Sequence, residues 1–514
     1  MLLWREETVS ATENTATTSY NYESHNLRLV PANYAKRSTT NHSPPIMIYE
    51  ICVLLIVIGS VILIISENRK PYISLLWVLL VILLPGVGIF FYFLLGKDYR
   101  SRRIITPDEL ARLDNLRNIS VGDAIAQHAP TDKYEKLASM MRRANDSPLF
   151  VGNEVRIFTD FTPMFQTMLD DIEKAEHFVH IQFYIVENDE VGRQFSDLLI
   201  RKAQQGVDVR LMFDSWANLF VRSEYYDHMR NGGVKVQSFQ KLIPSMFTRD
   251  VNCRTHRKIV VIDGHTGYTG GMNIARRYRD GINDGAWRDT HIRIFGPAVS
   301  QLEVSILADW RFCTKELLDE PRFFPIVRPG ADAVAQIVTS GPMDEWNTVM
   351  QGMVQIIAQS RRYLYLQTPY FIPTQPILLA LRNAALAGVD VRLMLPAVAD
   401  RSRLTLAASK SYFRDLMPAG VKIYLYNKGF LHAKTIVCDD DFVTIGSTNL
   451  DPRSLEQNFE VNAFLYNESL AIRQREIFLD DIHECTLVDP VLWQQRSRIE
   501  KFTQSVARIF TPIL

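Results

Sequence analysis

The chain has 514 residues, 47% of them hydrophobic, with 57 basic and 57 acidic side chains and a net charge of zero. That supplies apolar material for two substantial cores, and the neutral balance excludes a dedicated nucleic-acid binder, which carries a basic excess. Cys52, Cys253, Cys313, Cys438 and Cys485 are scattered and odd in number, which excludes a disulfide framework and fits a reducing cytoplasm.

Residues 1–45 are rich in Thr, Asn, Ser and Glu and read as a disordered extension, either an added tail or text upstream of a true start at Met47. Two apolar runs follow: Ile46 to Ile65 carries one charge, Glu50, and Tyr72 to Leu95 carries none. At about 1.5 Å per residue each run can cross a hydrocarbon core of about 30 Å. Residues 46–96 therefore read as a transmembrane hairpin with helices over 46–65 and 72–95, the second kinked at Pro85, Gly86 and Gly88. A signal peptide would stand at the very N-terminus, ahead of a cleavage site. Lys36 and Arg37 before the first run, and Lys97, Arg100, Arg102 and Arg103 after the second, place both termini and everything downstream on the cytoplasmic side of the cell membrane. Residues 97–146 read as a polar, partly helical linker that lifts the rest to the bilayer surface.

The remainder is a duplication. Gly206-Val207-Asp208-Val209-Arg210-Leu211-Met212 recurs letter for letter at Gly388 to Met394, each time after an amphipathic stretch, and Gly233-Val234-Lys235-Val236 is matched by Gly420-Val421-Lys422-Ile423. Each copy reads helix, strand, helix, short strand and a further apolar strand. The expected fold is α/β: two similar domains, 147–325 and 326–514, related by a pseudo-twofold and facing each other, the second ending in an amphipathic helix. In that helix Ile499, Phe502, Val506, Ile509, Phe510 and Ile513 repeat at helical spacing. The stripe is expected to pack on the domain, with shallow membrane contact as the alternative.

Each copy also carries His-x-Lys-x4-Asp: His256, Lys258 and Asp263, then His432, Lys434 and Asp439, with Asn273 and Asn449 each seventeen residues after its His. One such match is expected on the order of a few hundredths of a time by chance, so two with the same distal Asn mark two half-sites of one active site. On a strand, i and i+2 share a face, so each imidazole projects with its ammonium. Paired across the pseudo-twofold, two Lys, Asn273, Asn449 and Ser447 would hold the oxygens of a phosphodiester, while one His attacks phosphorus and the other protonates the leaving alkoxide. Each His needs a partner that fixes its tautomer, and Asp289 and Glu460, downstream of the two motifs, take that role. Asp263 and Asp439 belong to the catalytic motifs, yet they end their strands before Gly264 and Asp440, positions that tie down a turn. His177, His180 and His291 lack zinc spacing, so no metal or other cofactor is expected.

The duplicated motif with its distal Asn resembles the phospholipase D superfamily. The text around it, Asn252 to Lys258, Gly270 to Ile274, Gln367 to Pro373, Phe430 to Lys434 and Gly446 to Ser454, is similar to bacterial cardiolipin synthases from about Met47 to the C-terminus. The resemblance implies transfer of a phosphatidyl group from one phosphatidylglycerol to another through a phosphohistidine, releasing glycerol. It also implies His256 as nucleophile and His432 as general acid and then base, the near-symmetry leaving the reverse assignment open. A hydrolytic phospholipase D, another transphosphatidylase, a membrane-anchored nuclease and a silent scaffold are the alternatives. Neutral charge and the apolar hairpin count against the nuclease, and two intact motifs count against the scaffold. Oligomeric state is not legible.

Overall fold

The computed structural model describes residues 44–67, 71–95, 104–239, 254–282, 285–328, 330–399 and 402–511. Most of the expected N-terminal extension, and Ile513, lie outside the described residues.

The first apolar run is one helix, Pro44–Ser66, and its segment Ile48–Ser66 is long and apolar enough to cross a membrane. The second run departs from the expected 24-residue span. It forms two helices, Pro71–Leu83 and Pro85–Leu95, that fold back on each other. The Trp77 and Tyr92 rings stand 5.7 Å apart, and a Cβ on Gly88 would come within 2.5 Å of the Leu80 carbonyl. In a continuous helix, residues 77 and 92 would be separated by about 22 Å. Proline at the turn lacks a donor for a continuing helix, and Gly88 lets the two backbones approach. Ile64, Val81 and Tyr92 form a small shared core where the first helix packs on this pair.

The two halves follow one plan. In the first, the strand order is Lys235–Phe239, Asp208–Asp214, Phe178–Phe183, Ile259–Ile262, Thr266–Gly270, His291–Phe295 and Leu149–Phe158. In the second it is Lys422–Tyr426, Asp390–Pro396, Tyr363–Gln367, Thr435–Cys438, Phe442–Gly446, Asn458–Tyr466 and Ala333–Ser340. Three parallel strands precede an antiparallel set in each. The helices Glu190–Gln204 and Gln375–Leu386 lead into the repeated strands through Gly206 and Gly388, at φ of 94° and 92°. That left-handed conformation favours glycine, so the repeated text encodes the turn as well as the strand.

The halves are joined edge to edge, because Leu149–Phe158 pairs antiparallel with Ala333–Ser340 and makes one sheet of both. Two short parallel ladders cross between them as well: Asn458 and Phe459 with Arg254 and Thr255, and Gly429–Leu431 with Ala286–Arg288. The expected linker does not stand apart as a spacer. Its helix Pro107–Val121 is bound to the first half by Glu109 on Arg311 at 2.8 Å. Its helix Asp132–Asn145 buries Tyr134, Leu137 and Met141 in the core of the second.

Candidate active site

Both motifs sit where a short crossing ladder runs into an apolar strand. His256 N–H donates to Phe459 O at 2.8 Å, and His432 N–H donates to Arg288 O at 2.6 Å, so each histidine backbone is pinned by the opposite half. Ile259–Ile262 and Thr435–Cys438 are wholly buried, which fixes the strands that carry the motifs.

The histidine side chains cross in the same way. Nδ1 of His256 lies 3.0 Å from Glu460 Oε2, and Nδ1 of His432 lies 2.6 Å from Asp289 Oδ2. Both carboxylates are fully buried. A carboxylate on Nδ1 holds the proton there and leaves Nε2 with its lone pair. Sequence reasoning named these two carboxylates but not the crossing, which no local pattern encodes.

Lys258 donates to the His256 carbonyl at 2.7 Å. Lys434 donates to the His432 carbonyl and lies 2.7 Å from His432 Nδ1 and 3.2 Å from Nε2. Burial, followed by the neighbouring Lys434 charge, brings Lys258 down to about 7, although Glu460 and Asp289 oppose the shift. Burial and then Lys434 push His432 down to about 3, and burial lowers His256 as well. Burial alone would raise Asp289, but Lys434 and His432 outweigh it and hold the carboxyl below its usual range. The pocket thus keeps neutral imidazoles beside buried cations, a setting that favours an incoming phosphodiester anion.

The other expected site residues divide. Asn449 is buried and its Oδ1 has no hydrogen-bond partner among the described residues. Asn273 is committed within its own half, accepting from Ile185 N–H at 3.1 Å and donating to the Tyr278 hydroxyl. Ser447, expected on phosphate, instead donates to Glu460 Oε2 and accepts from Val461 N–H at 3.0 Å, so its hydroxyl supports the carboxylate that orients His256. The Asp263 and Asp439 carboxylates are held by backbone amides of their own halves. Asp263 accepts from the amides of Glu176, His177 and Phe178, each at 2.8 Å. Asp439 accepts from those of Arg361, Arg362 and Tyr363. Both adopt positive φ, 47° and 56°, so they close strand ends as the turn reading expects.

Sequence reasoning missed the aromatic walls. The Tyr184 ring stands edge-on 4.9 Å from His256, and the Trp287 and Phe430 rings lie 5.0 and 5.9 Å from His432. A signal was present: Tyr184 and Tyr370 each follow the strand that pairs with a motif strand. Gly271 was missed too, since a Cβ there would meet Asp289 Oδ1 at 2.0 Å.

Two symmetry-related His–Lys pairs, each oriented by a carboxylate from the other half, define a two-histidine phosphodiester-transfer site on a duplicated α/β scaffold. Comparison with known proteins narrows the class. Residues 168–303 and 353–482 match the family model described as "Cardiolipin synthase, PLD-like domain", and residues 53–97 match "Phospholipase_D-nuclease N-terminal". A cardiolipin synthase of Geobacillus sp. (strain WCH70) is 35% identical over 87% of this chain and 90% of its own. The major cardiolipin synthase of Bacillus subtilis (strain 168) is 35% identical over 90% of this chain and 98% of its own. Among solved structures, phosphatidylserine synthase of Haemophilus influenzae Rd KW20 shares the fold, with a TM-score of 0.56 at 14% identity over 74% of this chain and 98% of that one. The chain belongs to the cardiolipin synthase family of phospholipase D-type phosphatidyltransferases.

Proposed function

We propose that the protein condenses two phosphatidylglycerol molecules into cardiolipin and glycerol at the crossed histidine pair. The observation that carries the chemistry is that each imidazole has its Nδ1 on a buried carboxylate of the opposite half. His256 Nε2 attacks the phosphorus of the first lipid, and the bond from phosphorus to the glycerol headgroup oxygen breaks. The Lys434 ammonium passes a proton to His432 Nε2, which delivers it to that oxygen, and glycerol leaves with the phosphatidyl group on His256. The terminal hydroxyl of the second phosphatidylglycerol then gives its proton through His432 Nε2 back to Lys434 and attacks phosphorus, breaking the P–N bond. The ammonium 3.2 Å from His432 Nε2 favours this assignment, because Lys434 can share a proton with that nitrogen, whereas Lys258 donates to the His256 carbonyl. Lys258, Lys434 and Asn449 hold the phosphoryl oxygens, and no metal enters any step.

The membrane reading is part of the proposal. The helix Pro44–Ser66 crosses the bilayer, whereas Pro71–Leu83 and Pro85–Leu95, at about 20 and 17 Å, each reach partway in and return. In sequence, Arg69 and Lys70 follow Ser66, and Lys97, Arg100, Arg102 and Arg103 follow Leu95, so the positive-inside rule makes the side on which these helices end cytoplasmic. The catalytic halves stand on that face, and the first helix begins at Pro44 on the other.

The test is mass spectrometry of lipid and free glycerol after incubation of the purified protein with phosphatidylglycerol vesicles containing EDTA, beside His256→Ala. Cardiolipin and glycerol in equal amounts, absent from the variant, are expected. Phosphatidic acid would make water the acceptor and the protein a hydrolase. Loss of turnover with EDTA, restored by a divalent ion, would remove the metal-free mechanism.

A further inference from the structure

The C-terminal helix Arg498–Ile509 turns its apolar stripe the unexpected way. It docks through Gln504 and Ala507, which are buried, and through Arg508, which pairs with Asp415 at 2.6 Å. Ile499, Phe502 and Ile509 are 79%, 70% and 73% exposed, and Val491 and Leu492 on the preceding helix Pro490–Gln494 are exposed as well. A contiguous apolar row on a helix already fixed to its domain marks a contact surface.

Beside it lies a cavity of about 560 Å³ lined by Arg414, Trp493, Arg496, Lys501 and Arg508 among others, with no carboxylate in its wall. Asp415 pairs with Arg508 at 2.6 Å and stands 3.9 Å from Arg414 Nε, whereas the Arg496 and Lys501 side chains donate to neutral acceptors, the Trp493 and Gln494 carbonyls among them. Glu500 stands 3.9 Å from Arg496 Nε, and neither that nitrogen nor Trp493 Nε1 has a hydrogen-bond partner among the described residues. Cations around one cavity with Trp493 in its wall, beside exposed Leu and Phe, suit an anionic headgroup whose acyl chains run along the apolar row.

The location ties this surface to the site. The helix packs along Arg403–Ser411, whose Ser409 hydroxyl accepts from Phe371 N–H at 3.1 Å. The adjacent Tyr370 ring lies 6.5 Å from Phe430, which in turn borders His432.

We propose that Pro490–Gln494 and Arg498–Ile509 form an interfacial anchor that dips its apolar row into an anionic bilayer and holds the phosphate of one glycerophospholipid in the basic cavity. This lipid is bound and not consumed. The inference rests on the reading that the substrate is a bilayer lipid, and it would fail separately from that reading.

The test uses the full chain in nanodiscs of phosphatidylcholine with or without phosphatidylglycerol, reading amide hydrogen exchange across residues 490–509. Exchange is expected to slow roughly tenfold with phosphatidylglycerol. The slowing should vanish in Arg414→Gln/Lys501→Gln and in Phe502→Ser, two surface changes with separate effects on charge and apolarity. Both variants should turn over short-chain, monomeric phosphatidylglycerol at the unaltered rate while losing turnover on bilayers, which shows that folding and site are intact. Equal exchange in the two bilayers, or slowing that survives the charge variant, would overturn the proposal. Slowing that rises with protein concentration in detergent alone would give the face to a second copy and overturn it too.

Discussion

At the residue scale, the two half-sites are built differently where they seem to match. Gly271 and Ser447 occupy equivalent positions in Gly270-Gly271-Met272-Asn273 and Gly446-Ser447-Thr448-Asn449. Glu460 is supported by the Ser447 hydroxyl, while the shorter Asp289 lies so close to Gly271 that no side chain fits between them. Gly271→Ala should therefore push Asp289 off His432 and lower kcat roughly 10³-fold with the fold retained, the scale of losing a tautomer-fixing carboxylate. Ser447→Ala leaves Glu460 buried with one fewer donor and should cost about tenfold. If steady-state rates rank the two the other way, the carboxylate roles are misassigned. Lys258 supplies a pH test. A lysine brought down to about 7 carries its charge below that pH and loses it above, so kcat/KM should fall as pH rises through about 7. The bound phosphodiester anion raises the same pKa, so kcat should hold to higher pH. A kcat/KM flat from neutral to alkaline pH would deny Lys258 its phosphate role.

At the element scale, what is local in the chain was legible and what is long-range was not. The repeated Gly-Val-Asp-Val-Arg-Leu-Met text announced the helix, the positive-φ glycine and the strand, and all three are found in both halves. The motif strands were legible because their apolar runs are short and β-branched. The fold-back of the helices Pro71–Leu83 and Pro85–Leu95 was hidden, since hydropathy counts length without reading whether a chain turns. Pro85 and Gly88 were read as a kink, the weaker consequence of the same chemistry. The stripe on the last helix was hidden for a related reason: periodicity shows that a helix has an apolar face without saying what covers it. The proposed topology requires Ser66 and Leu95 to end on one side of the bilayer. Single cysteines at Ser66 and Thr106 in a cysteine-depleted chain should react with a membrane-impermeant maleimide from the same face of sealed vesicles. Labelling from opposite faces would restore a second full span.

At the scale of the whole molecule, the duplication has become an obligate pair. One ladder fuses the two sheets, two shorter ones cross between them, and each catalytic imidazole leans on a carboxylate that its own half does not possess. Neither half-site can be complete alone, which is why motif spacing pointed to a shared site but could not assign partners within it. The same stitching makes stability common property, because buried lysines on both sides are compensated by carboxylates on both sides. Lys258 feels Glu460 and Asp289 together, as well as Lys434. Replacing Glu460 with Gln should thus destabilise both halves at once, by about 3 kcal/mol, the scale of breaking a buried charged pair. Calorimetry of the solubilised protein should show a single transition for residues 104–511 that moves down intact in Glu460→Gln. Two transitions, with only the one belonging to the second half displaced, would mean that the halves fold independently and that the crossed pairs serve catalysis without holding the molecule together.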